Sequence, residues 1–342
     1  MNAKGNRTAL IAPLDWGLGH ATRCIVLIRQ LLNDGYTVII AASGKNAHLL
    51  RAEFPLLEIV ELGGYNITYS RTRAGLAFKM LGQVPKILRA IRHEHRWLTG
   101  FLEKRPVDVV ISDNRYGLWS KTTPCIFITH QLQIQTPVLQ SLARRIHYRF
   151  INRFSECRVP DYASPEQSLA GALSHPRQLP ALPVRYIGPL CRFRKLAVEP
   201  VFDWLIILSG PEPQRTLLEE RAIAAARAIR GKVCLVRALP GEPGELQLPE
   251  HMTVYNHAGT ALMEQLIAQS RFILSRSGYT TVMEMMVLQK TCLFVPTPGQ
   301  TEQEFLAAHL QRQQLAFTCG PHEDLLQAMQ RVAGQSGRIG IK

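Results

Sequence analysis

Short runs of apolar and β-branched residues recur through the first 130 positions: TALIAPL (8–14), TVIIAAS (37–43), LEIVEL (57–62), VDVVISD (107–113) and CIFITH (125–130). Between them the apolar positions fall at helical spacing, beginning with a helix from Ala21. Strands that are apolar throughout are covered on both faces, and a series of them separated by helices predicts a parallel sheet. Residues 160–200 then carry seven prolines and predict an irregular connector. The alternation resumes at DWLIILSG (203–210), with a helix over 214–229, and continues through KVCLVRA, MTVYNHA, RFILSRSG and TCLFVPTP. The pattern predicts an α/β chain of two doubly wound, Rossmann-like domains facing each other across a cleft. The expected boundaries are 1–162 for the first domain, 163–200 for the connector and 201–342 for the second.

Composition narrows the class. With 46% hydrophobic and 19% charged residues the chain of 342 can bury two cores, which excludes a disordered protein. Seven dispersed cysteines form no C-x-x-C pair, so neither a disulfide framework nor a zinc site is expected. No run approaches the roughly 18 apolar residues of a membrane span, and the N-terminal apolar run is too short for a signal peptide, which predicts a cytoplasmic protein. The net charge of +14 is uneven: residues 1–190 hold 24 Lys and Arg against 12 Asp and Glu. Such a field suits nucleic acid, anionic lipid or phosphorylated substrates. Nucleic acid is set aside, because no interleaved aromatics or recognisable module accompany the charge.

In open α/β sheets the site lies beyond the carboxyl ends of the strands, so the residues just after each strand carry the candidate chemistry. The first such turn reads PLDWGLGHATRC (13–24), with Gly17, Gly19 and His20 opening a helix. A dinucleotide fingerprint needs a third glycine and an acid after the second strand; Thr22 and AASGK stand there instead. His20 is then either a base aimed from a helix N-terminus or a cap for that helix. Asp113, ending VDVVISD, either orients His20 or caps its own loop; Asn114 and His130 follow strand ends on the same side. In the second half, SRSGYTTVMEMM (275–286) places Ser277, Gly278, Tyr279, Thr280 and Thr281 ahead of and at the start of a helix, a ready anion site. Glu284 follows in that helix as an acceptor for two ribose hydroxyls, with a solvated surface acid as its alternative. FVPTPGQTEQ (294–303) brings Gln300 and Gln303 as amide partners for sugar hydroxyls. LSGPEPQR (208–215) adds Gly210 and Arg215, the latter a diphosphate partner or a surface arginine.

Together GLGHATR, SRSGYTTVMEMM and VPTPGQTEQEFLAAHL resemble the family 28 glycosyltransferases of the GT-B fold, a group that includes the peptidoglycan N-acetylglucosaminyltransferases. The resemblance covers both halves and implies a nucleotide-sugar, most often a UDP-sugar, bound on the C-terminal domain. It implies Glu284 on the ribose, the Ser277–Thr281 turn on the diphosphate, and Gln300 and Gln303 near the sugar. The first loop lacks a Gly-Gly-His form, and Glu304 stands where the peptidoglycan enzymes have a second Gln. That loop also resembles the nucleotide-sugar hydrolases of pseudaminic-acid synthesis, whose acceptor is water.

The expected activity is therefore inverting transfer of a hexosyl or N-acetylhexosaminyl group from a nucleotide-diphosphate sugar to an acceptor hydroxyl. Hydrolysis of the donor is the alternative. The nucleotide-sugar is a substrate, no further cofactor is expected, and the absence of any D-x-D sequence points to a metal-independent mechanism. Residues 71–105 carry nine basic and two acidic residues on a helical apolar pattern interrupted or kinked by Pro85. This predicts either a helix covering the sheet with a solvated basic face or a surface for anionic membrane, enlarged by RRIHYRFINRF (144–154) and suited to a lipid-linked acceptor.

Overall fold

The computed structural model describes residues 7–65, 73–134, 140–239 and 248–335, with residues 73–83 described by backbone alone. The chain divides into two compact units, one of Met1–Tyr69 with Ala77–Arg192 and the other of Ser70–Leu76 with Phe193–Lys342; the start of α3 thus groups with the second. The first contains β1 (Thr8–Pro13), α1 (Leu18–Asn33), β2 (Thr37–Ala41), α2 (Gly44–Glu53), β3 (Glu58–Val60), α3 (Arg73–Lys104), β4 (Val109–Asp113), β5 (Cys125–Ile128), α4 (Gln140–Ile151), β6 (Glu156–Val159) and β7 (Val184–Tyr186). Its strands form a sheet in the order β3-β2-β1-β4-β5-β6-β7, parallel throughout. Leu10, Ile39, Val110 and Phe127 bury one face of it, each contributing about 1.5–3 kcal/mol.

The second unit contains β8 (Phe202–Ile207), α5 (Gln214–Arg227), β9 (Val233–Val236), β10 (Met252–Tyr255), α6 (Thr260–Ala268), β11 (Ser270–Ser275), α7 (Tyr279–Val287), β12 (Thr291–Phe294), α8 (Thr301–Arg312), β13 (Phe317–Thr318) and α9 (Leu325–Gln335). The order is β10-β9-β8-β11-β12-β13, again parallel. Trp204, Ile206, Leu235 and Leu274 pack with Leu218 and Ala222 of α5 and Met329 of α9. Both sheets are thus Rossmann-like, and each reverses its strand order once. The reversal falls between β1 and β4 in the first sheet and between β8 and β11 in the second. Loops leave such a switch point in opposite directions, so the backbone there opens a crevice for a ligand.

Three expectations change. The proline-rich segment 163–200 is not only a connector, because β7 within it pairs with β6 and completes the first sheet. Pro85 does not interrupt α3, which runs 32 residues across it. Helix α1 begins at Leu18 rather than Ala21, which brings His20 inside its first turn.

Candidate functional site

In the first unit the switch point sets Pro13 of β1 directly beside Asp113 of β4. The chain leaving β1 turns through Gly17, whose φ of 93° lies in the region that favours glycine, and enters α1 at Leu18. His20 is the third residue of that helix, its side chain 16% exposed, and Nδ1 lies 3.0 Å from Asp113 Oδ2. Among the described residues no partner engages Nε2. Asn114 follows Asp113 with φ 59° and holds the turn by donating its N–H to Ile128 O.

One neighbour absent from the expectations completes this cluster. Arg23, one turn after His20 on α1, is buried and ion-paired with Asp113 Oδ1. Its Nη2 also lies 2.9 Å from His20 Nδ1. Arginine only donates and a carboxylate only accepts, so Nδ1 cannot bond both. A proton on Nδ1 directed at the carboxylate satisfies the charges; a lone pair there would face Oδ2. The ring is therefore assigned as an Nδ1–H donor to Asp113, which turns the Nε2 lone pair outward. Burial pushes the Asp113 carboxyl up, but Arg23 and His20 outweigh it and hold the group below the usual carboxylate range. His130, expected just after the end of β5, is buried there, with Nδ1 3.4 Å from Arg23 Nη1.

A second buried ion pair fixes α3 beneath the loops. Arg115 donates from Nη1 to Glu94 Oε1 (3.0 Å) and Gly63 O (3.0 Å), and from Nε to Pro13 O (2.8 Å). Glu94 also accepts from Tyr65 Oη (2.7 Å) and Gly117 N (3.0 Å). Gly117 is required there, since a Cβ would stand 2.3 Å from Ile91 O.

In the second unit the switch point brings Ile207 of β8 beside Ser275 of β11. The loop after β8 turns at Gly210, φ 105°. Arg215 is directed elsewhere than expected: buried, it bonds Glu212 and Glu219, and Arg237 completes the cluster on Glu219. Its charge is met inside the protein rather than offered to a ligand. The cation at this edge is Arg276, the residue after β11. Its Nη1 reaches Val295 O and Pro296 O (3.1 Å each) and its Nη2 reaches Gln214 O (2.6 Å). No carboxylate among the described residues pairs with it, and Nε is buried without a hydrogen-bond partner. Burial, with Arg221 adding like-charge repulsion, pushes its pKa down to about 10. The Thr297 hydroxyl, after β12, is likewise buried and unpartnered.

Gly278 caps α7 without any side-chain bond, and Tyr279, Thr280 and Thr281 form the first turn of that helix. Ser277 Oγ donates to Gln303 O (2.8 Å), which joins the two predicted motifs at one rim. Gln303 Oε1 accepts from Thr297 N (2.9 Å), which orients its amide group. Gln300 caps α8 with its backbone alone, and Glu304 accepts from Gly299 N (2.9 Å). Glu284 is buried in α7 rather than solvated. Among the described residues no three His, Cys, Asp or Glu side chains are grouped to hold a metal ion, and no helix is long and apolar enough to cross a membrane.

Residues 245–333 match the model of the glycosyltransferase family 28 C-terminal domain. Both motifs of the second edge lie inside that span. The second unit carries a family 28 glycosyltransferase domain. Over most of the chain, two archaeal proteins described as uncharacterized glycosyltransferases are similar. The one from Methanosarcina acetivorans is 23% identical, covering 85% of this chain and 80% of its own. The one from Methanosarcina mazei is 22% identical, covering 87% and 81%. Solved glycosyltransferases share the fold. The kitacinnamycin glycotransferase superposes with TM-score 0.69 at 14% identity, over 97% of this chain and 92% of that one. Arabidopsis thaliana UGT89C1, complexed with UDP-L-rhamnose, gives 0.67 at 16% over 96% and 90%. Acinetobacter baumannii MurG gives 0.57 at 15% over 97% and 91%. The two sheets are those of a GT-B glycosyltransferase, and glycosyl transfer is the activity class. The hydrolase alternative is not favoured by these relatives.

Proposed function

We propose that this glycosyltransferase moves a sugar, with inversion, from a nucleoside diphosphate donor to an acceptor hydroxyl, using His20 as base. The observation that carries the reading is the His20–Asp113 contact at the switch point of the first sheet. Nε2 takes the proton of the acceptor hydroxyl as that oxygen bonds to the anomeric carbon. The bond from that carbon to the phosphate oxygen breaks, and the nucleoside diphosphate leaves with the electron pair. Asp113 stabilises the imidazolium, in the manner of other positioned histidine bases.

The second edge is assigned to the donor. The N–H groups of the first turn of α7 and the Arg276 cation would hold the diphosphate, where preorganised donors gain most as charge develops. An unpaired buried arginine and an unpartnered threonine hydroxyl cost stability in the free protein, which supports an anionic ligand as their partner. Glu284 is assigned to the ribose, and Gln300 and the Gln303 amide to the sugar. A UDP-sugar is favoured by the family 28 domain and by the UDP-L-rhamnose complex of the Arabidopsis neighbour. With these groups balancing the diphosphate, no divalent ion is needed for leaving-group departure.

Membrane association belongs to the same proposal. On α4, Leu142 and Ile146 are 49% and 50% exposed one turn apart, beside the exposed Arg145, Arg149 and Arg153. Lys86, Arg89, Arg92 and Arg96 of α3 are also exposed, while Arg71 and the Arg73 and Lys79 side chains lie outside the described residues. Each cation near an anionic surface contributes about 1 kcal/mol, which suits a lipid-linked acceptor. Cytoplasmic placement rests on seven cysteines without a disulfide. The donor assignment is tested by differential scanning fluorimetry with UDP: a Tm rise that scales with concentration supports it, and no shift at millimolar UDP rejects it.

A further inference from the structure

We propose that Arg23 is a positioning residue that sets the proton affinity of His20, cancelling the charge of Asp113 so that the base stays free to accept a proton. The inference rests on the proposed role of His20 and concerns a residue that does not touch substrate. Asp113 alone would be a strong acceptor beside the ring: it is fully buried, and its Oδ2 lies 3.0 Å from Nδ1. A buried carboxylate beside an imidazole favours its protonated form when no countercharge opposes it. Arg23 lies on the opposite side of the same contact. It is ion-paired to Oδ1 and keeps Nη2 2.9 Å from Nδ1, so a proton arriving on His20 meets an anion and a cation at nearly equal range. The carboxylate supplies orientation, and the guanidinium removes most of the added basicity.

The neighbouring groups leave this balance intact. Cys24 Sγ, 3.8 Å from Asp113 Oδ2, is held as a thiol because burial and Asp113 push its pKa up. Arg115, after β4, has its charge met by Glu94. His130, after β5, faces Arg23 Nη1 through Nδ1, so it accepts as a neutral ring; a proton there would set two cations 3.4 Å apart. Helical geometry explains the placement: Arg23 lies three positions after His20, which puts them on one face of α1 above the end of β4.

The test follows His20 by long-range proton–nitrogen NMR on histidine-labelled full-length protein, which reads tautomer and titration midpoint without any substrate. In wild type the neutral ring is expected to carry its proton on Nδ1. Arg23→Gln should raise the midpoint by about one pH unit or more, a tenfold or greater gain in proton affinity, because a neighbouring charge has been removed. Asp113→Asn, which leaves Arg23 in place, should lower it. The double variant Arg23→Gln with Asp113→Asn should return it toward wild type, and Arg23→Lys should restore it. In turnover, Arg23→Gln should move the acid limb of kcat/KM upward and lower kcat, with KM for a UDP-sugar unchanged. Midpoints that stay fixed, or that move in the same direction in the two single variants, overturn the inference and leave Arg23 as packing alone. The two claims separate cleanly: a His20→Ala protein that still transfers sugar rejects the base, whereas an inactive His20→Ala with no opposed shifts rejects only the role of Arg23.

Discussion

Replacing Asp113 by Asn keeps the shape of the His20–Arg23 cluster and removes the carboxylate that pairs with both residues. Both partners of the Arg23 ion pair are almost completely buried. The variant therefore breaks a buried ion pair by removing one partner, which costs about 3–5 kcal/mol. For a unit of this size each kcal/mol lowers Tm by about 2–4 °C, so the transition of the first unit should fall by roughly 6–20 °C in scanning calorimetry. The pH dependence has a definite sign. The folded Asp113 titrates below the unfolded side chain, so its stabilisation is complete above about pH 4 and is lost as pH falls through the folded value. The gap between wild type and Asp113→Asn should then be widest near neutrality and narrow on acidification. Substituting both residues by apolar ones, Arg23→Met with Asp113→Leu, should recover much of the loss. A single variant that melts within about 1 kcal/mol of wild type at pH 7 would refute the reasoning, since the pair would then behave like a solvent-exposed one.

Arg276→Gln should weaken UDP binding by tenfold or more in isothermal titration, and it should also lower Tm, because the Val295, Pro296 and Gln214 carbonyls lose their donor. Arg215→Gln should lower Tm through its Glu212 and Glu219 partners while changing the UDP Kd less than Arg276→Gln does. Gly117→Ala should destabilise the first unit in urea unfolding, because the added methyl meets the Ile91 carbonyl. Neutralising Arg145, Arg149 and Arg153 together should cut co-sedimentation with anionic vesicles, and equal binding to neutral vesicles by wild type would count against the surface.

Much of this organisation is legible in the sequence because parallel sheets write themselves as continuous apolar strands. Once the strands are placed, topology dictates that Asp113 and the GLGH turn share an edge. The shortest edge strands are not legible: β7 has three residues inside a proline-rich stretch and β13 has two, too few for any periodicity to register. Side-chain allegiance is also harder to read than position. Arg215 lies three residues after Glu212 and four before Glu219, a spacing that signals neutralisation on one helix face, yet its place near a glycine turn suggests a ligand. Arg23 carried the same kind of signal, three residues from His20, and Arg276 stood within the motif assigned to the diphosphate. In each case the missing information was which groups are buried together, and that depends on contacts between elements far apart in the chain.

His20 is proposed as the base for transfer, with the donor held on the second unit. Measuring nucleotide release from UDP-sugars with a panel of lipid and soluble hydroxyl acceptors, alongside the UDP Kd, separates the two functions in one variant. His20→Ala should lose about 10²–10⁴ in rate and keep its UDP affinity. Undiminished transfer by His20→Ala would contradict the account.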